Sequence, residues 1–396
     1  MILRRYIGKR LSEYYQQPSH MVVGSINENY LLDQVWLGKW QYQYLYSKYY
    51  NTNDHGQWLT PVELFAPYYS QILANYITSS AKEQQRIRIV ELGGGHGTNA
   101  KHILQHLSSS NHTVVDSYTI VDSSPTLQEH QRQVLSKVET TTPIQFVSAD
   151  IMTLAENDNT EDPSFFHTIF PKDDVMTFIL GLEVLDNLPH DKVQKIQQTK
   201  NEHHHKPSYL QAQVNLQQMT EEMMPLQDSL LQRILPYYPL IQHTSNNMNN
   251  QEVQWIPSVA CGFLYRLFQQ CENQNWNVLF ADFDYLPPPT LTKNNNKQRK
   301  SIPALEEPLI TCMKDQDHEC YLTYLDHCDI LYATNFDALA QYVRNCTRNS
   351  KKVNVMKQAD FLQLHGPQQI EATTSFGYTP LLHDFSNCSI LTVSNK

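Results

Sequence analysis

Between Arg86 and Leu107 the chain reads as a short strand, a turn spaced by glycines, Glu91-Leu-Gly-Gly-Gly-His-Gly97, and then a helix. No other segment constrains the fold as much. Glycines at a strand-to-helix turn supply positive φ angles and let a ligand approach the backbone, and the helix start beyond them presents N–H groups without helical partners. The flanking pattern extends the reading. Ala100, Ile103, Leu104 and Leu107 share one face of a helix over Thr98–Leu107. Ser117–Val121 reads as a second strand, and a helix follows with Ser124 as N-cap and Pro125 at its first position. Ile144–Val147 and Val175–Leu180 read as further strands. Such alternation predicts an α/β fold: a mostly parallel, Rossmann-like sheet with helices on both faces.

In a sheet of this kind, ligands bind beyond the carboxyl ends of the strands, so the residues there are the candidate site. Glu91, Gly93, Gly95 and Gly97 surround the first turn, where a ligand carboxylate would face the helix N-terminus. Asp122 ends the second strand, placed to accept two ribose hydroxyls, and Asp150 ends the third, placed to accept from an adenine amino group with Ile151 against the ring. Either acid can instead cap a helix, Asp150 more readily. This order of sites fits S-adenosylmethionine and so the class I methyltransferase fold. A dinucleotide is the competing ligand, because Gly95-x-Gly97-x-x-Ala100 fits G-x-G-x-x-A; against it, the turn starts earlier, at Gly93, and no second nucleotide-binding half follows.

The fourth strand runs into Leu182-Glu-Val-Leu-Asp-Asn-Leu-Pro-His190. Glu183 and Asp186 would there face the transferred methyl. Two carboxylates suit a guanidinium, which is protonated at neutral pH and a poor nucleophile until it is oriented and relieved of a proton. The bland alternative has Asp186 capping a helix and Glu183 in a surface ion pair.

Residues 1–85 are expected to form a helical extension packed on a methyltransferase domain spanning 86–396. Within the extension, Tyr30, Leu31, Val35, Trp36, Trp40, Tyr44 and Leu45 have helical spacing and are expected to pack on the core. Thr60-Pro61 opens another helix, with Glu63 at the capping-box position. Residues 190–250 read as a polar insertion, rich in Gln, Asn and His around one strand-like run, Tyr209–Leu216; His203, His204 and His205 fall in that low-complexity tract. Trp276–Phe283 is a strong strand, a second polar tract spans 293–300, and Ile330–Tyr332 and Ser389–Val393 are expected to close the sheet.

The net charge of −10 argues against a nucleic-acid partner, whose phosphates require clustered cations. No apolar run approaches the roughly 20 residues of a membrane helix. The seven cysteines include no C-x-x-C pair and point to reduced thiols. Cys312, Cys320 and Cys328, with His318 and His327 nearby, match no common zinc spacing, and no metal is expected. The N-terminus carries Arg4, Arg5, Lys9 and Arg10 with no acid before Glu13, resembling the start of a mitochondrial presequence.

The segments GQWLTPVELF (56–65), ELGGGHGT (91–98), VDSSPTLQEHQ (121–131), LEVLDNLPH (182–190), LFADFDYLP (279–287) and DILYATNFDALA (329–340) together resemble the MidA family of S-adenosylmethionine-dependent methyltransferases. The resemblance runs from about Leu11 to the C-terminus. It implies a class I methyltransferase core with an added helical N-terminal part. It also implies symmetric dimethylation of an arginine on the 49-kDa subunit of mitochondrial complex I, in support of complex I assembly. By motif, the glycine turn would line the cofactor pocket, Asp122 the ribose, and Glu183 and Asp186 would match the acids of the family's N-E-F-F-D-A-L-P stretch. This chain departs there, with Leu182 in place of Asn and Val184 and Leu185 in place of the two Phe. The departure leaves open a second reading, an assembly factor of the same fold that acts by binding a partner; a dinucleotide-dependent oxidoreductase is the third.

Overall fold

A computed structural model describes residues 1–16, 24, 30–52, 58–82, 85–109, 114–156, 164–169, 171, 173–196, 209–240, 253–270, 274–287, 307–312, 316–318, 320–322 and 328–395. The described strands, in chain order, are β1 (Arg86–Leu92), β2 (Val114–Asp122), β3 (Ile144–Ser148), β4 (Met176–Leu182), β5 (Asp191–Lys195), β6 (Tyr209–Asn215), β7 (Thr220–Pro225), β8 (Val253–Ile256), β9 (Trp276–Phe283), β10 (Leu309–Cys312), β11 (Gln316–His318), β12 (Cys328–Leu331), β13 (Lys351–Lys357) and β14 (Cys388–Asn395). Seven of them form the central sheet in the order β13-β14-β9-β4-β1-β2-β3. The pairings β1–β2, β2–β3, β1–β4 and β4–β9 are parallel, while β14 runs antiparallel between β9 and β13. This is the mostly parallel, two-faced sheet expected from the sequence. The antiparallel insertion of the last strand differs from the all-parallel 3-2-1-4-5-6 order of a dinucleotide fold.

The central strands are buried on both faces. In β1, Ile87 and Ile89 join one apolar cluster and Val90 and Leu92 the other. The first helices are α1 (Leu3–Tyr15), α2 (Lys39–Thr52), α3 (Pro61–Leu64), α4 (Tyr68–Ser80), α5 (Thr98–Ser108), α6 (Pro125–Leu135) and α7 (Ile151–Glu156). The side chains of α4 and α5 supply one face; those of a long helix, Ser258–Gln270, and of Phe336–Cys346 supply the other. Local signals hold where they were strongest. Thr60 Oγ1 accepts the Glu63 N–H with Pro61 at the first helical position, and Ser124 Oγ accepts the Leu127 N–H ahead of Pro125.

Four expectations need correction. Residues 190–250 are not only a polar insertion: β5, β6 and β7, joined by β8, form a four-stranded antiparallel sheet, and a short helix spans Ser229–Ile234. The sequence hides this because strands with one solvated face carry alternating polar residues. His203–His205 and the tract 293–300 lie outside the described residues. Ile330 and Leu331 belong to a separate small sheet, β11-β10-β12, and do not close the central one; β13 and β14 do. The stretch 26–50 is not one core-packed helix. Its helix starts at Lys39, Tyr42 is buried, and Trp36, Trp40 and Tyr44 point outward at 73%, 70% and 59% exposure. Finally, Cys328 is disulfide-bonded rather than reduced; the strand register places Cys312 directly opposite it.

The N-terminal helix α1 is clamped to the second sheet. Leu3, Tyr6, Ile7 and Leu11 pack with Ala212, Val214, Trp255 and Ile330. Arg4 is 1% exposed, and its guanidinium meets Glu156 at 2.6 Å, Asp191 at 2.8 Å and Asp228 at 2.7 Å.

Candidate cofactor and substrate site

At the end of β1 the chain turns through Gly93 (φ 68°), Gly95 (φ 50°) and Gly97 (φ 84°), all in the left-handed region that other residues adopt at a cost. The Gly93 N–H donates to Val121 O at 2.8 Å, which pins the turn to β2. A Cβ on Gly93 would lie 2.8 Å from Val184 Cγ2, in the loop after β4, whereas a Cβ on Gly95 would meet nothing within 4 Å. The turn is therefore tight on one side and open on the other. The open side is the shape required by a ligand that lies against the backbone.

The acids predicted around the turn occupy different positions. Asp122 ends β2 with its carboxylate held on one side: Oδ1 accepts the Ser124 N–H at 2.9 Å and Oδ2 accepts from Gln131 Nε2 at 3.0 Å. Each oxygen keeps a further lone pair. Burial holds its pKa above the usual carboxylate value. Glu91 lies beneath the turn, fully enclosed, where Oε1 accepts from Asn99 Nδ2 at 2.7 Å and Oε2 from the Tyr118 hydroxyl at 2.8 Å. Burial lifts its pKa to about 7. It braces β1, β2 and α5 together. Asp150 is exposed and caps α7, with Oδ1 accepting the Met152 N–H at 3.0 Å and Oδ2 the Thr153 hydroxyl at 3.1 Å. Sequence reasoning passed over Gln131. Its Nε2 bridges Gly95 O, at 2.9 Å, and Asp122 Oδ2, coupling the turn to the end of the neighbouring strand.

The loop after β4 gathers a second group. Glu183 has φ 52°, a conformation that costs a non-glycine residue about 1–3 kcal/mol and persists only where surrounding structure imposes it. Its N–H donates to Ala281 O at 2.8 Å. The residue keeps an accessible edge, but its carboxyl group is enclosed. Asp186 sits in a single 3₁₀ turn, 3% exposed, and accepts from Asn187 Nδ2 at 2.9 Å. Behind them is Asp282 of β9, whose Oδ2 accepts the N–H groups of Leu185, at 2.7 Å, and Asp186, at 3.1 Å, while Oδ1 accepts that of Phe283 at 2.7 Å. Asp329 of β12 completes the group. Its Oδ2 lies 3.0 Å from the Tyr15 hydroxyl, which is also 2.7 Å from Asn187 Oδ1. One hydroxyl proton serves only one acceptor; a protonated Asp329 can donate in return.

Burial is the main force on all four carboxyl groups, and neighbouring negative charge adds to it at Glu183 and Asp186. Asp282 and Asp329 are pushed up to about 7. Glu183 is raised by burial and by Asp282 and Glu63; Asp186 by burial and by Asp282, Asp329 and Glu183. Among the described residues, no group of three or more His, Cys, Asp or Glu side chains could hold a metal ion, and no helix is long and apolar enough to cross a membrane. The groups gathered here are carboxyl groups beside a glycine turn.

Comparison with known proteins bears on the fold and the family. No curated protein matches the sequence. A crystal structure of a COG1565 superfamily member from Burkholderia thailandensis bound to S-adenosyl-homocysteine superposes with a TM-score of 0.58 at 15% identity, covering 100% of this chain and 88% of that one. A native crystal structure of a COG1565 superfamily protein from the same organism gives 0.58, 15%, 100% and 87%. Both establish the fold. Residues 70–354 match the family model described as "Putative S-adenosyl-L-methionine-dependent methyltransferase". That match spans more than half of the chain, β1 to β4 and the acidic loop included, and the chain accordingly belongs to this family of S-adenosyl-L-methionine-dependent methyltransferases.

Proposed function

We propose that this methyltransferase acts on an arginine of a protein substrate, with Glu183 and Asp186 as the catalytic acids. The observation that carries the reading is the enclosure of both carboxyl groups beside the glycine turn, with Gly93 against Val184 of the same loop. Burial and neighbouring negative charge disfavour the ionised form of these acids, so they favour a cationic guest, whose charge lets them ionise. An arginine side chain brings that charge at every physiological pH and presents two donors to a carboxylate in one plane.

Gly93, Gly95, Gly97 and Asp122 would hold S-adenosylmethionine, with Glu91 bracing the turn from below and Asp150 near the adenine. When bound, the cofactor supplies an electrophilic methyl group. Asp186 and Glu183 orient the guanidinium, and one of them accepts the proton lost as a nitrogen is methylated. Asp282 fixes the backbone that aims Asp186. By the resemblance to the MidA family, the substrate is the 49-kDa subunit of complex I, the product symmetric dimethylarginine, and the compartment the mitochondrial matrix.

Peptide mass spectrometry of mitochondrial proteins, from cells with and without the gene, tests the proposal. Loss of one methylated arginine, restored by wild-type protein and not by Asp186→Ala, supports it. Restoration of complex I assembly by Asp186→Ala would replace catalysis with partner binding.

A further inference from the structure

Two segments distant in sequence meet at the surface and display exposed aromatic side chains. From the first come Trp36, Leu37, Trp40 and Tyr44, exposed by 73%, 60%, 70% and 59%; from the second comes Phe376, exposed by 86%. Trp40 and Tyr44, one helical turn apart on α2, stack with ring centroids 6.1 Å apart and planes 10° from parallel. The segments touch at Gly38, where a Cβ would lie 3.2 Å from Ser375 O and 3.5 Å from Phe376 Cβ. Phe376 is held at φ 51°, a conformation a bulky residue adopts only when its surroundings impose it.

Several polar groups of this tip are satisfied from within. The N–H groups of Trp36 and Leu37 both donate to Gln41 Oε1, at 2.6 and 2.7 Å. The Trp36 carbonyl accepts from Ser375 Oγ at 2.6 Å, and the Trp36 indole N–H donates to Asp33 O at 2.8 Å. Exposed turns and helix starts often close their backbone groups in this way. The closure also lets this tip leave water without stranding those groups, each of which would cost several kcal/mol if unsatisfied.

Charge identifies the medium. The chain carries a net charge of −10, yet residues 33–52 contain two lysines, Lys39 and Lys48, against one acid, Asp33. Lys39 is exposed beside Trp40. Exposed Trp, Tyr, Phe and Leu flanked by lysine suit the boundary between lipid headgroups and acyl chains, and lysine near an anionic leaflet adds attraction. We infer that the tip formed by Trp36, Leu37, Trp40 and Phe376, with Lys39 beside it, docks the protein on the surface of an anionic lipid bilayer without crossing it.

Flotation of the full chain with vesicles tests this. One set contains phosphatidylcholine alone, the other phosphatidylcholine with an equal part of phosphatidylglycerol. Wild-type protein is expected to float with the anionic vesicles, less so in high salt, with a blue shift of tryptophan emission. Trp36→Ser/Trp40→Ser should weaken binding at least tenfold, and Lys39→Ala by about fivefold, with thermal melting unchanged because the altered side chains are exposed. Failure of the wild type to bind anionic vesicles overturns the inference, as does unchanged binding by the double variant. Self-association of the wild type that the double variant abolishes, without vesicle binding, would assign the patch to a second copy of the chain instead.

Discussion

Asp282 Oδ2 accepts the backbone N–H of Asp186 at 3.1 Å, so a side chain on β9 sets the position of the acid that follows β4. The same oxygen takes the Leu185 N–H at 2.7 Å. Two acids that look alike by burial are therefore placed differently: the Asp282 carboxylate holds the loop, and Asp186 is the one proposed to face the guest.

Replacing each with its amide should separate them. Asp186→Asn removes a buried carboxyl and leaves the loop's hydrogen bonds in place; its melting temperature is expected to equal or exceed that of the wild type, while methyl transfer falls at least 100-fold. Asp282→Asn turns one acceptor into a donor that opposes backbone N–H groups, costing about 1–3 kcal/mol. Circular-dichroism melts and a radiolabelled methyl-transfer assay read the two effects. Equal destabilisation by both substitutions would contradict the division of labour.

The glycine turn offers a similar contrast. At Gly95 an added Cβ meets no atom, so Gly95→Ala should fold at a cost of about 1–2 kcal/mol from its positive φ and lose most of the stabilisation by S-adenosyl-homocysteine, because the methyl occupies the open side. Gly93→Ala adds a 2.8 Å approach to Val184 and should destabilise the protein further. For the wild type, ligand at 100 times its Kd is expected to add about 2.7 kcal/mol. Thermal shift with and without the ligand measures both.

The pH dependence follows from acids whose folded pKa lies above the unfolded one. Asp329, lifted to about 7, binds a proton in the folded chain between about pH 4 and 7, where the unfolded chain has lost it. Its contribution is thus present below pH 4 and lost as pH rises through 7. Buried His102 and His190, lowered to about 4 and about 3, act in the opposite sense over much of the same range, so the raw curve mixes the two. Subtraction removes the histidine contribution: Asp329→Asn, which cannot ionise and also relieves Asp186 of a neighbouring charge, should gain stability relative to wild type by a few kcal/mol as pH rises from about 4 to 7. Urea unfolding at each pH gives the difference, and a flat one would refute the assignment.

Arg4 predicts a large effect far from the site. Arg4→Ala leaves Asp191 and Asp228 buried without their cation, which should cost about 3–5 kcal/mol. Arg4→Lys should recover only part of this, since one ammonium cannot reproduce the fork that reaches three carboxylates. Urea midpoints at constant m-value test both.

Much of this was legible from local rules. Thr60-Pro61 and Ser124-Pro125 announce their helices because a cap and its partner lie within three residues. The strand-end order of Gly93, Asp122 and Glu183 follows from the alternation of elements. The rest depends on contacts across long stretches of chain. Asp282 and Asp329 carry no local mark of belonging beside Asp186, nor does Tyr15, 314 residues before Asp329. Helical spacing gathered Trp36, Trp40 and Tyr44 onto one side but could not tell which side faces the core. The edge strand β13, Lys-Lys-Val-Asn-Val-Met-Lys, reads as polar because it is charged against pairing with other chains.

The distance between Arg4 and its partners also sets a schedule for the ribosome. Asp228 leaves the peptidyl-transferase centre 224 residues after Arg4, so at about 5–20 residues per second the basic first helix waits roughly 10–45 s for that partner. Throughout that interval Arg4 lacks one of the carboxylates that later close around its guanidinium. Docking of α1 ends the interval for Arg4, which is 1% exposed in the folded protein, while Arg5 and Lys9 stay at the surface.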